Sequence, residues 1–254
     1  MKKRAVVCGD THFPLHDQSA INCVLKAIKI VEPNIFIHLG DVGEWESCSS
    51  WKYKKIKRPP LEYILPEIKK ETQLINKGLD QFDKVLNRIG CTEKYMIEGN
   101  HDDWCNQFVL QHPYLKEVKF VNALKIKERG YTFKPYGKYL KLGKLYFYHG
   151  GHYSTAYHTK QHALNLGKSV VYGHMHDVQR HSVTHVDGTH AGFSLGCLKD
   201  MRDEANVWLR NRKTNWGHAF AIIDWFGNGD FRVDVVDITN GKTNVWGNEI
   251  DGRT

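Results

Sequence analysis

Asp10-Thr11-His12, Gly40-Asp41, Gly99-Asn100-His101-Asp102, His149-Gly150 and Gly173-His174-Met175-His176 gather carboxylates, an amide and imidazoles into five short motifs. Each motif directly follows an apolar run with strand character: AVVCG, IFIHL, KYMIE, LYFY and SVVY. Residues two apart in extended chain point to the same side, so Asp10 can pair with His12 and His174 with His176 around a common centre. A mixture of carboxylate, amide and imidazole donors suits Mn, Fe, Ni or Zn better than Ca or Mg alone. The chemistry expected is therefore that of a composite metal site.

For such a site to form, the motifs must lie at the carboxyl ends of neighbouring strands, where ligands collect in open α/β sheets. The sequence supports that arrangement. A strand at Arg4 to Gly9, a helix over about Asp17 to Val31 and a strand at Asn34 to Leu39 form a β-α-β unit, which implies parallel strands. After Pro59-Pro60, Ile64, Ile68, Leu74, Ile75, Leu79, Phe82, Leu86 and Ile89 recur at helical spacing. A strand from Lys94 to Glu98 leads into Asn100, and Trp104 to Lys127 reads as mainly helical. Tyr131 to Tyr148 reads as a hairpin turning at Gly143-Lys144, Ser154 to Leu166 as a helix, and Ser169 to Tyr172 as a strand. From His181 onward, alternation around Asp187-Gly188 and Asn228-Gly229 predicts mostly antiparallel β-structure. Neither a repeat nor a clear linker divides the chain, so a single domain over 1–254 is expected, with helical insertions around 44–90 and 104–129.

The five motifs, in this order, resemble the calcineurin-like metallophosphoesterase family: D-x-H, GD, GNHD, H and GHxH. The resemblance spans residues 10 to 176 and implies an α/β fold, a mixed β-sandwich flanked by helices in four α/β/β/α layers. It also implies roles. Asp10, His12 and His176 would bind one divalent ion and Asn100, His149 and His174 a second, with Asp41 bridging; Mn is the foremost candidate, with Fe, Ni and Zn as alternatives. Two carboxylates against two dications leave the centre attractive to a phosphate ester, which a metal-activated hydroxide would attack. His101 would protonate the leaving oxygen, with Asp102 holding its ring. The branch that dephosphorylates proteins typically carries GDxVDRG and RGNHE, whereas this chain has Gly40-Asp41-Val42-Gly43-Glu44-Trp45 and Glu98-Gly99-Asn100-His101-Asp102. The arginines are missing, which argues against a protein phosphatase.

Two positions allow competing readings. Tyr148-His149-Gly150-Gly151-His152 contains two imidazoles; His149 ends the apolar run and is the expected ligand, leaving His152 as a substrate contact. The segment Trp45 to Arg58 mixes Trp45, Trp51 and Tyr53 with Lys52, Lys54, Lys55, Lys57 and Arg58. It either stacks bases and meets phosphates, with Trp45 and Lys52 as contacts, or is a solvated face over packed aromatics.

The formal charge of +8 favours polyanionic partners, nucleic acid among them. Six scattered cysteines without a C-x-x-C pair suggest reduced thiols and a cytoplasmic protein. Met1 to Arg4 is basic, but the apolar stretch after it is too short for a signal peptide, and no segment reaches membrane-spanning length. The expected activity is metal-dependent hydrolysis of phosphodiesters in nucleic acid or a nucleotide. The alternatives are a phosphomonoesterase acting on a small phosphate or phosphoprotein, and a metal-stabilised interaction protein without catalysis, against which the full ligand set counts.

Overall fold

In the computed structural model, which describes residues 3–210 and 212–254, two β-sheets face each other between helical layers. Met1 and Lys2, from the basic start of the chain, lie outside the described residues. The first half supplies β1 (Lys3–Cys8), α1 (Gln18–Val31), β2 (Ile35–His38), α2 (Leu61–Arg88), β3 (Glu93–Ile97), α3 (Asn100–Gln111), α4 (Phe120–Ala123) and β4 (Tyr131–Lys134). Then come β5 (Leu140–Leu142), β6 (Leu145–Phe147), α5 (His158–Leu166), β7 (Ser169–Tyr172), β8 (Val178–His185) and β9 (Gly188–Leu195). The chain closes with β10 (His218–Trp225), β11 (Phe231–Ile238), β12 (Lys242–Val245) and β13 (Asn248–Asp251).

The larger sheet has the order β11-β10-β1-β2-β3-β4 and the second β5-β6-β7-β9-β8. Alternation along each strand divides the side chains between two cores. Val7, Ile35, Ile37 and Ile97 point inward, where they meet Leu145, Phe147, Val171 and Phe193 of the facing sheet. Val6, Cys8, Phe36 and Met96 point outward, beneath α1, α2 and α3, against Val24, Ile28, Leu79, Phe82 and Phe108. Tyr148, Val170 and Tyr172 face α5 on the far side. Each fully buried aliphatic or aromatic side chain contributes about 1.5–3 kcal/mol, so the sandwich faces hold the strand ends in fixed register.

Local signals account for the helix borders. The Asp17 carboxylate caps α1 by accepting from Ser19 N at 2.8 Å and Ala20 N at 3.0 Å. The apolar stripe of α2 is buried as its spacing predicts, except that Leu74 is partly open. The 44–90 segment begins as short 3-10 turns at Glu46–Cys48 and Lys52–Lys54 before α2.

The hairpin expected over Tyr131 to Tyr148 requires correction. Only Leu140–Phe147 forms one, turning at Gly143-Lys144, whereas Tyr131–Lys134 joins the larger sheet parallel to β3. Alternation identifies a strand but not its neighbour, and α3 with α4 supplies the crossover that a parallel pairing needs. Beyond His181 the expected antiparallel hairpins form at β8–β9 and β10–β11, while β6, β7 and β9 run parallel. No helix among the described residues is long and apolar enough to cross a membrane. All six cysteines are buried free thiols.

Candidate metal centre

Strands β1, β2, β3, β6 and β7 each end at one of the five motifs, and their parallel pairing brings those ends to one edge of the sandwich. Five of the residues there have left-handed backbone: Asp10 (φ 51°), His12 (φ 48°), Asp41 (φ 48°), His174 (φ 68°) and His176 (φ 61°). Such conformations are costly for residues with a Cβ and cluster where side chains must be aimed at a functional centre. Here hydrogen bonds between the motif loops hold them, including Asp10 N–H to Gly40 O at 2.9 Å and His12 N–H to Asp41 O at 3.0 Å.

Three sets of side chains here lie close enough to hold an ion; His12, Glu44 and His101 form one, and the expected ligands make up the other two groups of donors. In the first, His176 Nε2 lies 3.3 Å from Asp10 Oδ1 and 3.1 Å from His12 Nε2, and His12 Nε2 lies 3.9 Å from Asp10 Oδ1. In the second, Asn100 Oδ1 lies 2.8 Å from both His149 Nε2 and His174 Nδ1, and those two nitrogens are 3.3 Å apart. Asp41 Oδ2 stands between the groups, 3.7 Å from His12 Nε2 and 3.4 Å from His149 Nε2. Donors about 2.1 Å from a shared ion at tetrahedral or octahedral angles are about 3.0–3.4 Å apart, close to the spacings in both groups. The residues therefore fit two divalent cations, with Asp10–His12–His176 and Asp41–His149–His174 each close enough to hold one.

Neighbouring groups fix the tautomers. His149 Nδ1–H donates to Leu39 O at 3.0 Å and His12 Nδ1–H to Glu44 Oε2 at 2.9 Å, which turns each Nε2 lone pair toward the centre. Glu44 also accepts from the buried Lys199 ammonium at 2.7 Å. The His38 ring bonds Thr11 Oγ1 at 3.2 Å and accepts from Gly40 N–H at 3.2 Å, joining the ends of β1 and β2. Glu44, Lys199 and His38 were not anticipated. Glu44 has a faint sequence signal, three residues after Asp41, but Lys199 and His38 reach their places only through the fold.

The electrostatics are those of a cation site. Burial opposes ionisation of Asp41, yet His149 and His101 hold its carboxyl well below the usual range; His176 does the same for Asp10 against its own burial. Desolvation lowers His12 and His174 to about 4, so both keep neutral lone pairs. Burial alone would lower His149 too, but the Asp41 carboxylate raises it to about 9. That imidazole takes up a proton where a metal's positive charge is called for.

His101 is brought to the rim of this centre. Its backbone N–H donates to Asp41 Oδ1 at 2.9 Å, and its ring packs on Trp104 with centroids 4.0 Å apart. The ring is not held by Asp102, as the sequence reading expected: Nδ1–H donates to Glu44 O at 2.9 Å. Successive helical residues point in different directions, and Asp102 turns inward instead. It accepts from the N–H groups of Gly99 (3.0 Å), Val42 (3.1 Å) and Gly43 (3.3 Å) and from Trp45 Nε1–H (3.1 Å). Burial, with Asp41 nearby, pushes Asp102 up to about 8 against those four donors. Its part is to tie the Asp41 loop to the start of α3.

The expected substrate contacts separate. Trp45 is fully buried, with its indole spent on Asp102, and cannot meet a ligand. Its apolar ring is in the helical core, which matches, for Trp45, the alternative of aromatics packed beneath a solvated face. Lys52 borders a cavity of about 260 Å³ that Glu44 also lines, its ammonium 2.5 Å from Glu46 Oε1. His152 lies outside both donor groups, exposed and stacked on Tyr148 with centroids 5.1 Å apart.

Two glycines permit the close packing of the carboxylates. A Cβ on Gly99 would fall 2.1 Å from Asp41 Oδ1, and one on Gly173 would fall 2.0 Å from Asp10 Oδ2. Gly173→Ala is therefore expected to displace Asp10 and weaken divalent-metal affinity by about tenfold or more, the scale on which disturbed ligand supports act. Metal titration followed by calorimetry checks this; unchanged affinity would mean that Asp10 is not a ligand.

The model of the calcineurin-like phosphoesterase family matches residues 3–236. The Gene 54 protein of Mycobacterium phage L5 is 24% identical over 267 residues, covering 100% of this chain and 98% of that protein. The Gene 54 protein of Mycobacterium phage D29 is 26% identical over 266 residues, covering 97% and 98%. Among solved structures, Vacuolar Protein Sorting 29 from Cryptosporidium parvum aligns over 98% of each chain at 14% identity with a TM-score of 0.49.

Proposed function

Because the chain belongs to the calcineurin-like phosphoesterase family, we propose that it is a hydrolase that cleaves phosphodiesters, in nucleic acid or a nucleotide, with two divalent cations. The observation that carries this reading is the position of Asp41 Oδ2 between two complete donor groups. Two cations bound there, Mn foremost, supply the charge that neutralises phosphoryl oxygens and acidifies an attacking water.

The chain's own residues do the rest. Asp10, His12 and His176 would hold one cation and Asn100, His149 and His174 the other, with Asp41 placed to serve both. His101, with Nδ1–H fixed on Glu44 O, keeps Nε2 as the atom that carries a proton to the leaving oxygen. Glu44 and Leu39 O orient His12 and His149 so that neither ring rotates away. A diester is favoured over a monoester by charge. A monoester dianion places a second negative charge on its terminal oxygens, and among the described residues no arginine hydrogen-bonds into the centre to receive it.

Comparing bis-p-nitrophenyl phosphate with p-nitrophenyl phosphate, in the presence of Mn and of a chelator, tests the proposal. Metal-dependent turnover that favours the diester by about tenfold or more is expected, since the dianion lacks a partner worth about 1.5–3 kcal/mol. Preference for the monoester would assign the protein to phosphomonoesterases, and no turnover with either would leave the catalytic reading without support.

A further inference from the structure

Three tryptophans are linked to the candidate metal centre by successive ring contacts. Trp216 stands edge-on to His176 with ring centroids 4.7 Å apart, Trp208 lies 6.1 Å from Trp216, and Trp51 lies 6.3 Å from Trp208. Exposure rises along the series: His176 is buried, Trp216 partly buried, Trp208 48% exposed and Trp51 50% exposed. The inner end is tied to the centre by Gly217 N–H donating to His176 O at 2.8 Å. Trp51 comes from the turn before α2 and Trp208 from the 3-10 turn Val207–Leu209 after β9, so only the fold brings them together.

Packing does not account for the outer pair. An indole buried for stability would be covered, yet these two, with the exposed Val207, leave adjoining apolar surface in water. Cations neighbour both rings, although Asp203 and Glu204 also precede Trp208 in the chain. Lys55 Nζ sits 4.6 Å from the centre of the Trp51 ring, and Arg210, Arg212 and Lys213 are exposed beside Trp208 in the chain. Among the described residues none of these four cations has an ion-pair partner. An apolar protein partner would be poorly matched to that collar, whereas a polyanion with flat faces matches both features.

We propose that Trp51 and Trp208 form a stacking shelf for the bases of single-stranded nucleic acid, with Trp216 steering the strand so that a backbone phosphate enters at His176. The inference rests on the phosphodiesterase reading. Indole faces stack on any base, and the two lysines and two arginines, none of them ion-paired, meet flanking phosphates without reading sequence. Duplex is excluded as the preferred ligand because its bases are stacked on one another and offer no free face.

Binding is measured with the full chain in chelator, so that no hydrolysis intervenes. The probes are a short fluorescein-labelled oligothymidine, an abasic strand of equal length and a duplex. The base-bearing strand is expected to bind about tenfold more tightly than the abasic one, and Trp208→Ala or Trp51→Ala to reduce that preference to about twofold or less. Trp208→Phe should retain most of it, and circular dichroism verifies that each variant is folded. Equal affinity of the wild type for the base-bearing and abasic strands, a preference that survives both alanine variants, or tighter binding of duplex would each overturn the shelf. So would loss of self-association, rather than of strand binding, in Trp51→Ala. Absence of turnover of bis-p-nitrophenyl phosphate by the Mn-loaded wild type sinks the phosphodiesterase reading while leaving base-dependent binding intact, so the two failures are distinguishable.

Discussion

Asp41→Asn is expected to abolish metal-dependent turnover, lowering it on the order of a thousandfold or more, because several kcal/mol of charge stabilisation in such centres depends on both cations being held together. The substitution is nearly isosteric, so the fold survives. Its effect is electrostatic and geometric. Asp41 Oδ1 already accepts the His101 N–H at 2.9 Å, so an asparagine that keeps its oxygen there must turn an NH2 toward both donor groups. Removing one negative charge from between two dications also raises their mutual repulsion. Metal content should fall from two ions to one or none, and the Mn-dependent rise in melting temperature, which ligand binding to the native state produces, should shrink with it. Elemental analysis and thermal melts in Mn and in chelator measure both. A variant that keeps two ions and turns over within tenfold of the wild type would refute the bridging role.

His101→Gln should behave differently, retaining both metals but losing about two to four orders of magnitude in rate wherever the leaving group needs a proton. Metals should be retained because His101 lies outside the two expected ligand groups and its hydrogen bond to Asp41 comes from the backbone N–H, which any side chain preserves. The rate loss should depend on leaving-group basicity. A p-nitrophenolate departs unaided, so the effect on bis-p-nitrophenyl phosphate should be small beside that on a dinucleotide, whose leaving oxygen is an alkoxide. A loss equal for both substrates would show that His101 does not act as the acid and would move that role elsewhere in the centre.

The ligand set was readable because metal chemistry restricts residue types, and the structure brings all seven expected ligands to one sheet edge. Extended-chain alternation was not what paired them: Asp10, His12, His174 and His176 all have left-handed backbone beyond the strand ends, and while Asp10 and His12 share a donor group, His174 and His176 divide between the two. Residue type alone was less reliable for the surroundings. Trp45 and Trp51 look alike in sequence beside lysines, yet one is sealed in the helical core and the other is half exposed. Asp102 follows His101 directly, but the turn of α3 sends it to the backbone of the Asp41 loop, and the ring is held instead by a carbonyl that carries no sequence signature.

By itself, the sequence determined the elements, the parallel β-α-β start and the donors available to metals, since apolar periodicity and donor chemistry are local properties written residue by residue. Tertiary structure decided what lies between and around those donors. Asp41 Oδ2 faces both groups because β2 sits between β1 and β3 in the larger sheet; Glu44 and Lys199 meet at His12 across 155 positions of chain. The tryptophans that extend outward from His176 come from loops with no common pattern. Contacts of that kind depend on which strand neighbours which and on how loops fall across a sheet edge, and such long-range placement is set by packing rather than by any short run of residues.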